Sequence, residues 1–262
     1  MMSIKLTVLG CGTSTGVPIP TCNCAVCTSE EPRNNRLRAS VLLEVAGKSI
    51  LIDASTDLRQ QALREKILRI DAVLLTHPHA DHVGGIDELR TWNFAQKSRI
   101  PLYGNAWTCS ELRTRFPYIF TPAGGPRSGG GIPLLDLHEF DADDDRLTVA
   151  GIEVRPIALE HGTKQCVGYR IGPVAYVTDT QRIPPASLER LKSLKLLVLD
   201  CLRLAPHDTH LNLTAALDVV RALRPERTLL THMGHDIDYF DGDKLLPKGV
   251  EFAYDGAILR ID

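Results

Sequence analysis

The chain has 262 residues, of which 44 % are apolar and 24 % charged, a makeup that supports a sizeable buried core and one folded domain over 1–262. A formal charge of −2 with no block of like charge excludes a broad electrostatic surface for long nucleic acid. No apolar run approaches the roughly 20 residues that span a bilayer, which excludes a transmembrane helix.

The first segment, Lys5 to Leu9, reads as a β-strand rather than a signal peptide, so the expected compartment is the cytoplasm. Three of the seven cysteines crowd into Cys22-x-Cys24-x-x-Cys27, a spacing that suits a metal site near 20–30 better than a disulfide framework. Strands follow at Ser40 to Val45, Ser49 to Asp53 and Ala72 to Thr76, with helical periodicity from Asp57 to Leu68 and from Ile86 to Gln96. Tyr118 to Pro133 is broken by repeated glycine and proline and predicts a loop insertion near 118–133. The acidic run that begins at Asp141 reads as solvated surface. Further strands are predicted at Ile152 to Leu159, Val174 to Thr178, Leu196 to Asp200, Thr228 to Thr231 and Ala257 to Ile261, and a helix at Leu213 to Leu223 stops before Pro225. Continuous apolar strands alternating with helices predict an α/β fold whose sheets are covered on both faces. No internal repeat is visible.

One segment carries most of the chemistry. Directly after Ala-Val-Leu-Leu comes Thr76-His77-Pro78-His79-Ala80-Asp81-His82, three imidazoles and a carboxylate within six residues at a strand end. Imidazole and carboxylate suit Zn, Mn or Fe, and a loop can turn alternate side chains toward one point. His161, Asp179 and His232 each close another β-type run, which is where α/β proteins assemble their sites.

This set resembles the metallo-β-lactamase superfamily, whose His-x-His-x-Asp-His loop is matched by His77, His79, Asp81 and His82. The resemblance implies a four-layer αβ/βα hydrolase over nearly the whole chain. It also implies one divalent metal on His77, His79 and His161, a second on Asp81, His82 and His232, and Asp179 bridging the two. Asp81 then counts among both the metal ligands and the catalytic residues, and Asp53 resembles the family's aspartate that orients a ligand from behind. Two such cations lower the pKa of a shared water and neutralise charge on the attacked group, the apparatus of a hydrolase.

Cys22, Cys24 and Cys27 offer three thiolates, and a structural zinc takes a fourth ligand, for which His235 in Thr-His-Met-Gly-His-Asp is the candidate. Gly-Cys-Gly-Thr-Ser-Thr-Gly-Val-Pro, the cysteine cluster, the histidine loop and Leu-Thr-His-Met-Gly-His together look like the cyclic phosphodiesterase branch of the carbon-phosphorus lyase (phosphonate) pathway. That resemblance implies small substrates such as 5-phosphoribosyl 1,2-cyclic phosphate or 2',3'-cyclic nucleotides, a dinuclear Mn, Zn or Fe centre and a separate structural zinc. It also implies that His210 protonates the leaving oxygen or holds the phosphate, with His207 as the competing candidate. A quinone-cofactor biosynthesis protein, a transfer-RNA 3' processing nuclease and a zinc-stabilised binding module without catalysis are the alternatives. The sequence leaves oligomeric state open, a homodimer included.

Overall fold

The structure, a computed structural model, describes residues 3–120 and 131–262. Residues 121–130 of the predicted 118–133 insertion therefore lie outside the described residues. Fourteen strands are described: β1 (Ile4–Gly10), β2 (Ser40–Val45), β3 (Lys48–Ile52), β4 (Ala72–Leu74), β5 (Ile100–Asn105), β6 (Leu135–Phe140), β7 (Leu147–Val149), β8 (Ile152–His161), β9 (Lys164–Ile171), β10 (Val174–Val177), β11 (Leu196–Asp200), β12 (Arg227–Thr231), β13 (Val250–Phe252) and β14 (Ile258–Ile261). The α-helices are α1 (Leu58–Glu65), α2 (Ala80–Val83), α3 (Arg90–Gln96), α4 (Ala106–Arg115), α5 (Pro117–Phe120), α6 (Pro185–Arg190), α7 (Leu213–Leu223) and α8 (Tyr239–Asp243).

The strands form two seven-stranded sheets, β14-β1-β2-β3-β4-β5-β6 and β13-β12-β11-β10-β9-β8-β7. Both mix the same pairings: β1, β2 and β3 are antiparallel and β3 to β6 parallel, while β8, β9 and β10 are antiparallel and β10 to β13 parallel. The edge strands β14 and β7 extend each sheet antiparallel to β1 and β8. This duplicated connectivity was not visible as a sequence repeat, because the two halves share a backbone plan and not a side-chain pattern.

Alternate residues of the first sheet serve different layers, as the two-residue strand period requires. Val41, Leu43, Ile50, Ile52, Ala72 and Leu74 face the second sheet in the larger core, whereas Leu42, Leu51 and Val73 face the helices in a smaller one with Leu58, Leu89, Trp92 and Leu112. Helix α7 adds Leu213, Ala216 and Leu223 to the larger core. Two mixed sheets between helices make the αβ/βα layering the sequence predicts.

Several predicted elements shift or were missed. The helix expected to reach Leu68 stops at Glu65, because Lys66 takes a left-handed conformation (φ 53°) as its cap, leaving Leu68 exposed. The helix expected from Ile86 begins as a 3-10 turn and becomes α-helical at Arg90. Strands β5, β6, β7, β9 and β13 and helix α4 were not predicted, since their alternation is short or interrupted by charge, as in the Lys-Gln start of β9. Helix α7 matches its predicted span, and Asn212 caps it by accepting the Ala215 amide at 3.0 Å. Asn212→Ala is expected to cost about 1 kcal/mol of stability, read as a lower urea midpoint with an unchanged slope. A close approach is decisive at Gly10, where a Cβ would sit 2.1 Å from the Arg38 carbonyl oxygen.

Candidate metal centre and active site

The His77 loop is held from behind. Asp53, fully buried one residue past β3, accepts the Thr76 amide at 2.8 Å and the Thr76 hydroxyl at 2.9 Å, and its other contact is 2.7 Å to Nδ1 of His82. Those bonds turn the chain after β4 so that His77 and His82 point inward and His79 stands at the start of α2.

Four overlapping groups of ligand-type atoms result; two include His210, with His161 and Asp179 or with Asp200 and His232, and two hold only residues of the predicted ligand set. In each of the latter two, the atoms lie within 4.8 Å of one another: His77, His79 and His161 in one, Asp81, His82, Asp179 and His232 in the other. Asp179 reaches toward both, with its carboxylate 3.7 Å from Nε2 of His77, 3.3 Å from Nε2 of His82 and 3.4 Å from Nε2 of His232. Nδ1 of His161 lies 3.0 Å from the Thr209 carbonyl oxygen, an arrangement that makes Nδ1 the donor and leaves Nε2 as the acceptor. All seven residues singled out by sequence are thus brought together.

The chemistry of this donor set fits divalent cations. His82 Nε2 and both ring nitrogens of His232 are buried with no hydrogen-bond partner among the described residues, and Nε2 of His77 faces Nδ1 of His79 at 2.9 Å. Buried imidazole nitrogens without partners are costly unless something else takes their lone pairs. Backbone strain is concentrated here too: Asp53, Asp179 and His232 adopt left-handed conformations with φ of 64°, 52° and 61°. Such strain in residues with side chains persists where the surrounding structure enforces it, commonly at functional sites.

The electrostatics follow from burial and crowding. Burial, followed by the charge on His82, pushes His77 well below the usual imidazole range. Burial opposes a charge on His82 as well, yet the Asp179, Asp81 and Asp53 carboxylates hold it well above that range. A ligating imidazole must be neutral, so a cation arriving there takes over the position of that proton.

Asp200 was missed in the sequence. It is fully buried at the end of β11, receives the Leu211 amide at 3.0 Å and lies 3.2 Å from Nδ1 of His210, while Nε2 of His210 lies 3.8 Å from Asp179. A carboxylate closing an all-apolar strand is the signal that could have found it, the same one that marked Asp179. Burial alone would lower the pKa of His210, but the charge and hydrogen bond of Asp200, followed by the charge of Asp179, push it up to about 9. His207 contacts Thr209 and lies tilted against the His210 ring, 5.3 Å between centroids.

The cysteine site forms a separate cluster. Sγ of Cys22, Cys24 and Cys27 lie 3.3, 3.5 and 3.5 Å from Nδ1 of His235. The Cys27 amide hydrogen bond is the main cause that lowers the Cys24 thiol to about 6, toward the thiolate a metal requires. Arg36, a fully buried guanidinium, donates to the carbonyls of Gly234 at 2.8 Å and Ile237 at 2.6 Å, clamping the backbone on both sides of His235. Cys11, Cys109, Cys166 and Cys201 are buried thiols away from this cluster.

Residues 48–233 match the family described as the Beta-lactamase superfamily domain. The chain belongs to the metallo-β-lactamase superfamily. A solved diphosphatase from the PhnP family is 39 % identical, with a TM-score of 0.91, and the match covers 100 % of this chain and 98 % of that one. The octanoyltransferase of Porphyromonas gingivalis is 38 % identical over 99 % of this chain but only 52 % of its own length. A ribonuclease Z of Methanopyrus kandleri is 29 % identical over 58 % of this chain and 48 % of its own. The chain thus spans about half the length of these two curated relatives. The Zn(2+)-bound PqqB of Methylobacterium extorquens, at 18 % identity and a TM-score of 0.79 over 97 % of this chain and 99 % of that one, shares the fold. The chain has that fold and resembles the PhnP family. No helix among the described residues is long and apolar enough to cross a membrane.

Proposed function

We propose that this protein is a metal-dependent phosphodiesterase acting on small cyclic phosphodiesters, with 1–262 as one catalytic unit. The observation that carries this reading is His210, set between the buried Asp200 and the shared Asp179. Thioester cleavage expels a thiolate that needs no proton, whereas an alkoxide leaving phosphorus needs one as the bond breaks.

His77, His79 and His161 would hold one cation, Asp81, His82 and His232 the other, with Asp179 between them. Bound there, two cations would supply a water that is deprotonated near neutral pH and would offset charge on the phosphoryl oxygens. Asp200 takes the Nδ1 hydrogen of His210 and leaves Nε2 free to give a proton to the departing oxygen. Asp53 keeps His82 turned toward the centre. The partner in this reading is a small phosphodiester, not long nucleic acid. The 39 % match to a diphosphatase favours a phosphoanhydride as a second substrate class. The P. gingivalis name belongs to a polypeptide about twice as long, and the imidazole and carboxylate donors described above suit attack by water.

The deciding assay loads the purified protein with manganese and offers it bis(p-nitrophenyl) phosphate, 2',3'-cyclic nucleotides, a diphosphate, a β-lactam and a thioester. Preference for the phosphorus substrates is expected, and activity confined to the lactam or thioester would overturn the substrate class. Cys22, Cys24, Cys27 and His235 would hold a structural zinc that ties the N-terminal loop to the segment carrying His232. In Cys24→Ser one zinc per chain is expected to disappear by metal analysis while the active-site pair stays filled; unchanged zinc content would sink that assignment.

A further inference from the structure

An open cavity of about 550 Å³ lies beside the metal centre, lined by Asn105, Trp107, Glu139, Asp141, Asp144 and Gln165 among others. Trp107 belongs to both. It lines the cavity, and its ring centroid is 5.9 Å from His79 and 6.3 Å from His77. Its position is built from two sheets: Asn105, nearly fully buried, caps α4 by accepting the Thr108 amide at 2.9 Å and donates to the Gln165 carbonyl on β9 at 3.0 Å. The first turn of α4, and Trp107 with it, is thereby pinned against the strand that follows His161.

The lining has a definite chemistry. It offers an indole face, two side-chain amides and three carboxylates, and no ammonium or guanidinium among the described lining residues. Arg113 offsets Glu139 at 3.4 Å, whereas the Asp141 and Asp144 carboxylates pair with no cationic side chain within 4.0 Å among the described residues; each accepts one backbone amide of its own loop, and Arg190 donates to the Asp144 carbonyl oxygen at 2.8 Å. The positive charge sits at the boundary, where Lys164 holds its Nζ 5.7 Å from the Trp107 ring centroid with no carboxylate within 4.0 Å among the described residues. Part of the acidic run read from sequence as plain solvated surface is therefore a wall of this cavity.

We infer that this cavity is a subsite for the nucleoside end of the substrate, with Trp107 stacking the base and the carboxylates accepting hydrogen bonds from sugar hydroxyls or exocyclic amines. Aromatic side chains take any base on their faces, and carboxylates accept from hydroxyl and amino donors. The same carboxylates repel a second phosphate, so the site favours 2',3'-cyclic nucleotides over 5-phosphoribosyl 1,2-cyclic phosphate. The assignment rests on the phosphodiesterase reading, and its test does not require turnover.

Trp92 and Trp107 are the two tryptophans of the chain. Their fluorescence, excited at the red edge where adenosine does not absorb, is followed while adenosine or ribose 5-phosphate is added to the metal-loaded protein. The expected result is saturable quenching by adenosine, binding at least about 10-fold weaker for ribose 5-phosphate, and loss of the adenosine response in Trp107→Ala. The D141N/D144N variant is expected to narrow that preference. Equal or tighter binding of ribose 5-phosphate, an adenosine response that survives Trp107→Ala, or a preference unmoved by D141N/D144N overturns the assignment. In turnover, Trp107→Ala should raise KM for 2',3'-cyclic AMP about 10-fold with kcat changed less than about 3-fold. Adenosine binding without any phosphodiester turnover would count against the hydrolase reading and leave the subsite standing.

Discussion

In His210→Ala, turnover of a 2',3'-cyclic nucleotide is expected to fall by about 10² or more while the active-site metals stay bound, and Asp200→Asn is expected to lose nearly as much. The second expectation comes from the structure. Asp200 is fully buried and holds Nδ1 of His210 at 3.2 Å, so an amide there removes the charge that keeps His210 doubly protonated and can present the wrong partner to the ring. If the two side chains act as one proton donor, as proposed, their losses should not add: the double variant should be about as slow as His210→Ala alone. A leaving-group series separates proton donation from simple phosphate holding. With p-nitrophenolate as leaving group little proton transfer is needed, so the loss on bis(p-nitrophenyl) phosphate should be far smaller than on the cyclic nucleotide. Equal losses on both substrates would reassign His210 to binding, and additive losses would dissolve the pair.

That pair also shows where sequence reading stopped. The apolar runs were enough to predict β1 to β4, β8, β10 to β12 and β14, because strands covered on both faces leave few positions for polar residues. The His77 to His82 loop was legible because six neighbouring residues carry it. Asp200 was read only as the end of a strand, since its partner His210 lies ten residues on and beyond an irregular turn. Trp107 was not singled out at all: helix α4 was unpredicted, and its approach to His79 depends on Asn105 reaching Gln165 across 60 residues. Duplication of the sheet plan was equally hidden, although it sets Asp53 and Asp179 after equivalent strands, β3 and β10, both in left-handed conformations.

Asp53→Ala is expected to be the most damaging single substitution for folding, at about 3–5 kcal/mol, because it strips one side from a buried charged pair. Asp53 and His82 are both fully buried and 2.7 Å apart, and the same carboxylate satisfies the Thr76 amide and hydroxyl. Burial pushes the Asp53 carboxyl up, and the charge and hydrogen bond of His82 and the Thr76 bonds offset part of that rise. Without it, Nδ1 of His82 keeps only a 3.4 Å contact to the Thr76 hydroxyl, and the Thr76 amide loses its acceptor. The measurement is the urea midpoint of the metal-free protein, where no bound cation can mask the loss. Asp53→Asn keeps the shape and an acceptor for Thr76, and should recover part of the stability while lowering affinity for the second cation by about 10–100-fold, because the imidazole is no longer steered by a charge. Wild-type stability in Asp53→Ala would show that the loop is fixed by its own backbone and that Asp53 does not organise the centre.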